Sequence, residues 1–193
     1  MVILLTISGA AWLALEIALL VRDRRRGTGG TDADRGTRAV NFILIIAAVV
    51  AADVIASVSG SRSPLWLTGA GAHGWPVIAG LVIIWAGMAI RIWAVGTLGR
   101  AFRTTVEVDQ GQAVVTRGPY RWVRHPSYTG LLLIAAGFGL AFSTWPGLVL
   151  CIVLPTAALR YRIKVEEAEL TRVLGEGYRS YQQQTRRLLP GLW

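Results

Sequence analysis

Residues 76–98 read PVIAGLVIIWAGMAIRIWAVGTL, an apolar run in which Arg91 is the one charged residue. A helix needs about 20 residues to cross a hydrocarbon core of roughly 30 Å, so this run predicts a membrane span. Two further runs of similar length precede it, at residues 2–21 and 39–60, and each holds a single charge. The pattern predicts an all-α chain embedded in a membrane.

Two more apolar runs follow, at residues 128–145 and 147–159. The sequence Thr-Trp-Pro-Gly at 144–147 is a tight breaker, so the last two spans are predicted to form a helical hairpin. The helical pattern continues beyond residue 159, breaks at 175–177 and resumes weakly to 187, which predicts a cytoplasmic C-terminal helix. The expected architecture is a polytopic membrane protein with about five transmembrane helices and short connecting loops.

We expect this architecture to be a single membrane domain over residues 1–193. Residues 1–99 would hold three N-terminal spans, and residues 100–193 a region bearing the motifs. Residues 105–115 alternate in places between apolar and polar side chains, which suggests a small cytoplasmic hairpin or an extended loop.

Composition narrows the class of protein further. The chain has 193 residues, of which 53% are apolar and 16% charged, whereas soluble proteins carry roughly a quarter charged residues. A single cysteine, Cys151, excludes a disulfide scaffold. The net charge is +9, but the basic residues lie between apolar segments rather than on one soluble face. That arrangement favours contact with anionic lipid headgroups over binding of nucleic acid.

The arginines also orient the spans. They concentrate in the first loop, in the third loop and after residue 159, while the second loop holds only Arg62 and the tip of the hairpin holds none. By the positive-inside rule the N-terminus is outside, and the third loop and the C-terminus are cytoplasmic. In a bacterium this membrane would be the inner membrane.

Three charges fall within the predicted spans, and such charges are costly in lipid. Glu16 lies about one turn from the basic interface, Asp53 lies toward the outer end of its helix, and Arg91 can extend its head to the cytoplasmic surface. These positions favour structural roles. The alternative is a membrane scaffold or small transporter in which the three side chains line a path.

A polar cluster reading GPYRWVRHPSYTG occupies residues 118–130, at the point where the chain enters the fourth span. Its aromatics and arginines suit an interfacial belt. That interpretation does not account for His125, which is followed by Pro126 at the first turn of a helix. Free N–H groups at such a helix start can bind a carboxylate, so a ligand site and an interfacial belt both remain open.

A second cluster lies at residues 160–170. Leu159, Ile163, Leu170 and Leu174 form an apolar stripe at helical spacing, and Glu166 and Glu167 fall on its edge. Arg162 lies four residues before Glu166. On a solvated helix face this pair would be worth only a few tenths of a kcal/mol, whereas beside a dry cavity the same charges could act strongly on a substrate.

Taken together, the two clusters resemble a known family. The run VVTRGPYRWVRHPSYTG at 114–130 precedes the predicted hairpin, and Arg162-x-x-x-Glu166-Glu167-x-x-Leu170 and Leu174-Gly-x-x-Tyr178-x-x-Tyr181 follow it. This order resembles the isoprenylcysteine carboxyl methyltransferase family of integral membrane enzymes, over about the last 90 residues. The resemblance implies S-adenosylmethionine as cofactor and S-adenosylhomocysteine as product. The chain has no room for the doubly wound sheet of soluble methyltransferases.

The resemblance also implies roles for individual residues. The stretch expected to line the cofactor consists of Gln112, Ala113, Val114, Val115 and Tyr120, and the family's cofactor motif at the start of the fourth helix is matched by His125, Pro126, Ser127 and Tyr128. Arg162 matches the arginine that binds the reacting group of the substrate. Glu166 matches the carboxylate that completes the cofactor pocket and is expected to be catalytic with Arg162, and Glu167 is its neighbour in the cofactor pocket. No upstream cofactor contact can be placed within residues 103–111.

The chemistry agrees with these roles. A carboxylate acceptor is already ionised at neutral pH and needs no base, so catalysis reduces to positioning and exclusion of water. Arg162 could hold that carboxylate with a bidentate fork. No metal is implied, because His73 and His125 fall on opposite sides of the membrane.

The expected acceptor is an isoprenylcysteine-like carboxylate, on a lipophilic small molecule or a prenylated protein that enters from the membrane. Alternatives are a phenolic or polyketide lipid hydroxyl, a phospholipid amine and a small thiol. A hydroxyl would need a general base, for which His125, Tyr128 and Glu167 are candidates.

Overall fold

The computed structural model describes residues 2–25, 36–59, 74–99 and 114–189. These residues form six α-helices and a short 3-10 turn at Gly118–Arg121. The helices are α1 (Val2–Arg25), α2 (Thr37–Val58), α3 (Trp75–Leu98), α4 (Pro126–Ala141), α5 (Trp145–Leu174) and α6 (Glu176–Gln184). The described residues contain no β-strand, so the all-α prediction is confirmed for them. The expected hairpin or extended loop at 105–115 lies, up to residue 113, outside the described residues.

Three helices of the described chain are long and apolar enough to cross a membrane. They are Ile3–Asp23, Ala39–Val58 and Trp75–Leu98, which coincide with the first three predicted spans. Large apolar side chains such as Ile43 and Val82 are exposed on their outer faces, as a lipid environment requires. Helix α4 is apolar as well but has only 16 residues.

Helix α5 is longer than the apolar run that predicted it. The run ends at residue 159, but the helix continues to Leu174 for 30 residues and passes through Pro155. Pro155 is fully buried, and packing around it stabilises the helix despite the backbone hydrogen bond that proline cannot donate. Gly175, with a φ of 58°, ends the helix at the predicted break.

Glycines bring α3 and α4 into backbone contact. A Cβ atom added to Gly87 would lie 2.7 Å from the carbonyl oxygen of Gly130, and one added to Gly137 would lie 2.7 Å from that of Gly80. On each helix the two glycines are seven residues apart, so they fall on one face. Small residues that allow such approach are typical of packing between membrane helices.

Residues 142–144 connect α4 to α5, and these two helices also pack closely. A Cβ added to Gly139 would lie 2.8 Å from the Cβ of Cys151, so this glycine serves a contact within the chain. The main core lies between α1, α2, α3, α4 and α5, and its buried members are Trp12, Ile45, Ile84, Met88, Leu131, Ile134, Ala135, Phe138 and Leu159. This core fixes the start of α4 beside the second half of α5.

Candidate active site

The segment before α4 is held by the C-terminal residues of the described chain. The N–H of Arg124 donates to the carbonyl of Arg186 at 2.7 Å, and the N–H of His125 donates to that of Arg187 at 3.0 Å. Val123 and Arg186 pair as an isolated parallel bridge. The hydroxyl of Tyr181 on α6 donates to the carbonyl of Tyr120 at 2.6 Å. Residues 185–188 therefore act as a strap along the loop that carries His125.

Glu167 is the centre of a buried charge cluster. Its Oε1 accepts from Arg124 Nε at 2.8 Å and lies 3.3 Å from His125 Nε2, and its Oε2 accepts from Arg187 Nε at 3.0 Å. Burial alone would raise the pKa of the Glu167 carboxyl, but hydrogen bonds from His125, Arg187 and Arg124 lower it to about 2. The carboxylate is ionised at neutral pH and holds the loop, the strap and α5 together.

A second chain of contacts joins the two predicted motifs through Tyr128. Its hydroxyl accepts from Arg162 Nε at 2.7 Å and donates to Glu166 Oε2 at 2.6 Å. The ring of Tyr128 stacks on that of His125, with centroids 5.4 Å apart and planes 9° from parallel. His125 Nδ1 lies 3.7 Å from Glu166 Oε2. The imidazole at 125 and the guanidinium at 162 thus border one site.

Glu166 differs from Glu167 in its surroundings. Its side chain is 28% exposed, and the contacts that the structure describes for it all involve Oε2. In the described part of the chain, Oε1 has no hydrogen-bond partner. Glu166 therefore offers one carboxylate oxygen to a cation, whereas Glu167 is occupied by three partners.

Tyr178 on α6 carries a buried hydroxyl that finds no partner among the described residues. Burial, and then the nearby carboxylates of Glu167 and Glu166, raise the pKa of Tyr178 well above its usual value. Burial and Glu166 do the same for Tyr120. Both phenols keep their protons at neutral pH, and an unpaired buried hydroxyl costs stability unless a ligand or water binds it.

The structure describes the remaining predicted residues, with one exception. Pro126 occupies the first position of α4 and is fully buried. Val114 and Val115 are half-buried, and Val114 Cγ2 lies 3.9 Å from a Cβ built on Gly177 in α6. The exception is the pair Gln112 and Ala113, which lies outside the described residues.

Two structural expectations need correction. The start of α4 is not open to a ligand along its whole first turn, because the N–H of His125 donates to the carbonyl of Arg187 and the N–H of Tyr128 donates to the carbonyl of His125. Arg91 does not extend to the membrane surface, since it is only 5% exposed. It donates to both carboxylate oxygens of Glu16 at 2.7 Å and to Ser127 Oγ at 2.6 Å.

These contacts also bear on the transporter alternative. Glu16 and Arg91 are paired in the interior, whereas Asp53 is exposed on the outside of α2. The three charges therefore do not line a single path. In the described residues, no group of three or more His, Cys, Asp or Glu side chains could hold a metal ion.

Sequence reasoning missed three residues of the site. The sequence suggests an interfacial role for Arg124 and no particular role for Arg187, although both bind Glu167. Tyr178 stood in the quoted motif without a role. A usable signal existed for Arg124, which directly precedes His125, but Arg187 lies 20 residues after Glu167 and only the fold brings the two together.

Comparison with known proteins gives consistent matches. Residues 79–172 match the model of the isoprenylcysteine carboxyl methyltransferase family. The chain is 32% identical over 111 residues to protein-S-isoprenylcysteine O-methyltransferase A of Arabidopsis thaliana, an alignment covering 56% of each protein. It is 33% identical over 116 residues to the Tribolium castaneum protein-S-isoprenylcysteine O-methyltransferase, which covers 57% of this chain and 40% of that one.

A solved structure is similar as well, that of the eukaryotic intramembrane Ras methyltransferase ICMT. The TM-score is 0.66 at 28% identity, over 76% of this chain and 52% of that chain. The chain spans about half the length of the plant relative and of this structure. The apolar helices and the matches identify an integral membrane protein.

Proposed function

We propose that this chain, whose residues 79–172 match the model of the isoprenylcysteine carboxyl methyltransferase family, is a membrane methyltransferase of that family. It would use S-adenosylmethionine to methylate the carboxylate of an isoprenylcysteine-like lipophilic acceptor, either a small molecule or a prenylated protein. The observation that carries the proposal is the contact chain from Arg162 through the Tyr128 hydroxyl to Glu166. It joins the two motifs at one buried centre with a cation at one end and a partly open carboxylate at the other.

The residues present fit a cationic methyl donor. S-adenosylmethionine supplies, when bound, a methyl group on a positively charged sulfur that an anionic oxygen can accept. Glu166 has an oxygen without a partner in the described chain, which suits a sulfonium or ammonium group. The buried Tyr178 hydroxyl also lacks a partner there, which suits a polar ligand. His125 and Tyr128 add stacked aromatic rings on the same side.

Within this assignment, each side chain has a physical task. Fixing Arg162 Nε on the Tyr128 hydroxyl sets the plane of the guanidinium, which is the group suited to a carboxylate. Glu166 balances positive charge in the cofactor pocket. Glu167, held by two arginines, fixes the position of His125 at the edge of the cofactor pocket. The walls of the proposed pocket are completed by Val114, Val115, Tyr120, Pro126 and Ser127, together with Gln112 and Ala113.

The topology we propose keeps five transmembrane helices, with α4 and the first part of α5 as a hairpin. The N-terminus would lie outside, and the site and the C-terminus would lie in the cytoplasm, where the polar cofactor is available. Arginine-rich ends of α1 and α5 support this orientation. The lipophilic acceptor would enter from the membrane, between helices.

The test uses the full chain purified in detergent. Labelled S-adenosylmethionine is incubated with a farnesylcysteine analogue, a phospholipid amine, a phenolic lipid or a small thiol in separate reactions. We expect label in the farnesylcysteine analogue, as a base-labile ester. Label in another acceptor alone would refute the carboxylate assignment, and no binding of S-adenosylhomocysteine by calorimetry would refute the enzyme.

Arg162→Ala probes the acceptor site separately from the cofactor. We expect it to abolish turnover while leaving the affinity for S-adenosylhomocysteine nearly unchanged. Arg172→Ala is the matched control on the same helix, because Arg172 is exposed and pairs only with the surface residue Glu169 in the described structure. A large loss of cofactor affinity in Arg162→Ala would contradict the assigned role.

A further inference from the structure

The contacts of the buried Glu16–Arg91 ion pair extend beyond α1 and α3 to a third helix, α4. Arg91 on α3 binds both oxygens of Glu16 on α1, and its Nη1 also donates to Ser127 Oγ at 2.6 Å. The same Nη1 lies 3.4 Å from the Ser127 carbonyl oxygen. One guanidinium therefore links α1 to the first turn of α4, two residues after His125 and one before Tyr128.

The surroundings make this link a defined geometry. Glu16 and Arg91 are 8% and 5% exposed, and the indole of Trp12 donates to Glu16 Oε1 at 3.2 Å. The planar fork of arginine matches a carboxylate in one orientation, which leaves Nη1 directed at Ser127. A second contact between α1 and α3, from the Trp85 indole to Ser8 Oγ at 3.1 Å, fixes the relative position of these helices.

The position of Ser127 matters because of its neighbours in the chain. The His125 and Tyr128 rings are stacked, and the Tyr128 hydroxyl joins Arg162 to Glu166. A rotation of the first turn of α4 would move both rings and the Tyr128 hydroxyl relative to Arg162 and Glu166 on α5. Glu16 lies outside the residues that match the family model, so the match itself says nothing about this contact.

We infer that Arg91, oriented by Glu16, is a positioning residue that holds the first turn of α4 through Ser127 and thereby sets the cofactor pocket. This inference rests on the proposed function. Arg91 touches neither Glu166 nor Arg162 in the described contacts, so its effect is indirect. The alternative is that the pair only stabilises the membrane domain.

A double-mutant cycle distinguishes these alternatives. Arg91→Lys keeps a positive charge for Glu16 but cannot bind both Glu16 and Ser127 with the arginine's geometry. Ser127→Ala removes the other end of the contact. We expect each single variant to weaken binding of S-adenosylhomocysteine about tenfold. The double variant should bind it no more weakly than either single variant, because the two changes remove the same interaction. The inference would be overturned by a loss of affinity of about a hundredfold in the double variant, which would show two independent effects. It would also be overturned if none of the three variants lost affinity.

A second variant separates positioning from stability. In Glu16→Leu/Arg91→Met both charges are replaced by apolar side chains, a change that often leaves stability intact when a buried pair is removed together. We expect an unfolding temperature near that of the wild type, with the affinity for S-adenosylhomocysteine still reduced about tenfold. If the unfolding temperature and the affinity for S-adenosylhomocysteine both equalled those of the wild type, the pair would be purely stabilising and the inference would be overturned. Asp53→Asn, which changes an exposed carboxylate on α2, is the control and should alter neither.

The outcomes also separate this inference from the proposed function. A wild-type chain that binds no S-adenosylhomocysteine overturns the methyltransferase assignment and this inference with it. A wild-type chain that binds it, with a cycle that shows no coupling, overturns only the role of Arg91.

Discussion

Replacing Glu167 by glutamine removes the buried negative charge that Arg124, Arg187 and His125 share. The amide can still accept a hydrogen bond, but it leaves two guanidinium groups without their counter-ion. Breaking a buried pair from one side typically costs about 3–5 kcal/mol, because the remaining charge stays desolvated.

The lowered pKa of Glu167 gives a second magnitude for the same contacts. A pKa of about 2, compared with an ordinary value of 4.5, corresponds to roughly 3.5 kcal/mol of stabilisation at about 1.4 kcal/mol per unit. Part of this is screened because the Arg187 side chain is 40% exposed. We therefore expect Glu167→Gln to lower the free energy of unfolding at neutral pH by about 2–3 kcal/mol.

The pH dependence provides the decisive measurement. The folded state binds its proton on Glu167 more weakly than the unfolded state, so this stabilisation is fully present above pH 4.5 and is lost as the pH falls toward about 2. Denaturant titrations of both proteins in detergent, from neutral pH down to about pH 2, should show a difference that narrows in this window. A difference that stays constant over that range would refute the reasoning.

The control is Glu169→Gln, two residues further along α5. Glu169 pairs with Arg172, whose side chain is 72% exposed, so the pair is solvent-screened. Exposed pairs of this kind contribute about 0–1 kcal/mol. We expect the control to retain nearly all of the wild-type stability, and a loss equal to that of Glu167→Gln would show that burial does not decide the effect.

Three further outcomes are expected. Tyr128→Phe, which deletes the hydroxyl between Arg162 and Glu166, should lower kcat about 10–100-fold in the labelled-methyl assay, with the fold preserved by circular dichroism; an unchanged kcat would contradict the contact chain. Tyr178→Phe should weaken calorimetric binding of S-adenosylhomocysteine, and unaltered binding would remove that hydroxyl from the pocket. Gly87→Ala should destabilise the protein by about 1–3 kcal/mol in denaturant titration, since the added Cβ would meet a carbonyl oxygen of α4 at 2.7 Å. The control is the same change at Gly96 of α3, where a Cβ would meet no atom within 4 Å, and it should not destabilise the protein.

Several features of this protein follow from local sequence alone. The length of an apolar run sets whether a helix can cross a hydrocarbon core, so the first three spans were predictable within a few residues. Glycine at 175 ends α5 because of its backbone freedom. The two polar clusters could be recognised in the sequence as candidate sites, because burying a polar side chain among apolar residues is costly unless it is hydrogen-bonded or paired.

Other features were beyond the reach of the sequence. Arg91 looked like a surface anchor, since its position near the end of an apolar run is typical of one. Its partner Glu16 lies 75 residues away, and no spacing rule connects them.

The sequence by itself determined the class of this protein: an all-helical membrane chain whose chemistry is concentrated in two motifs. Only the tertiary structure decided how the two glutamates differ. Glu166 and Glu167 are adjacent and chemically identical, but the turn of α5 directs one toward Tyr128 and the other toward Arg124 and Arg187. The physical reason is that a charge takes its role from the partners and the solvent around it, and these are set by contacts between distant parts of the chain.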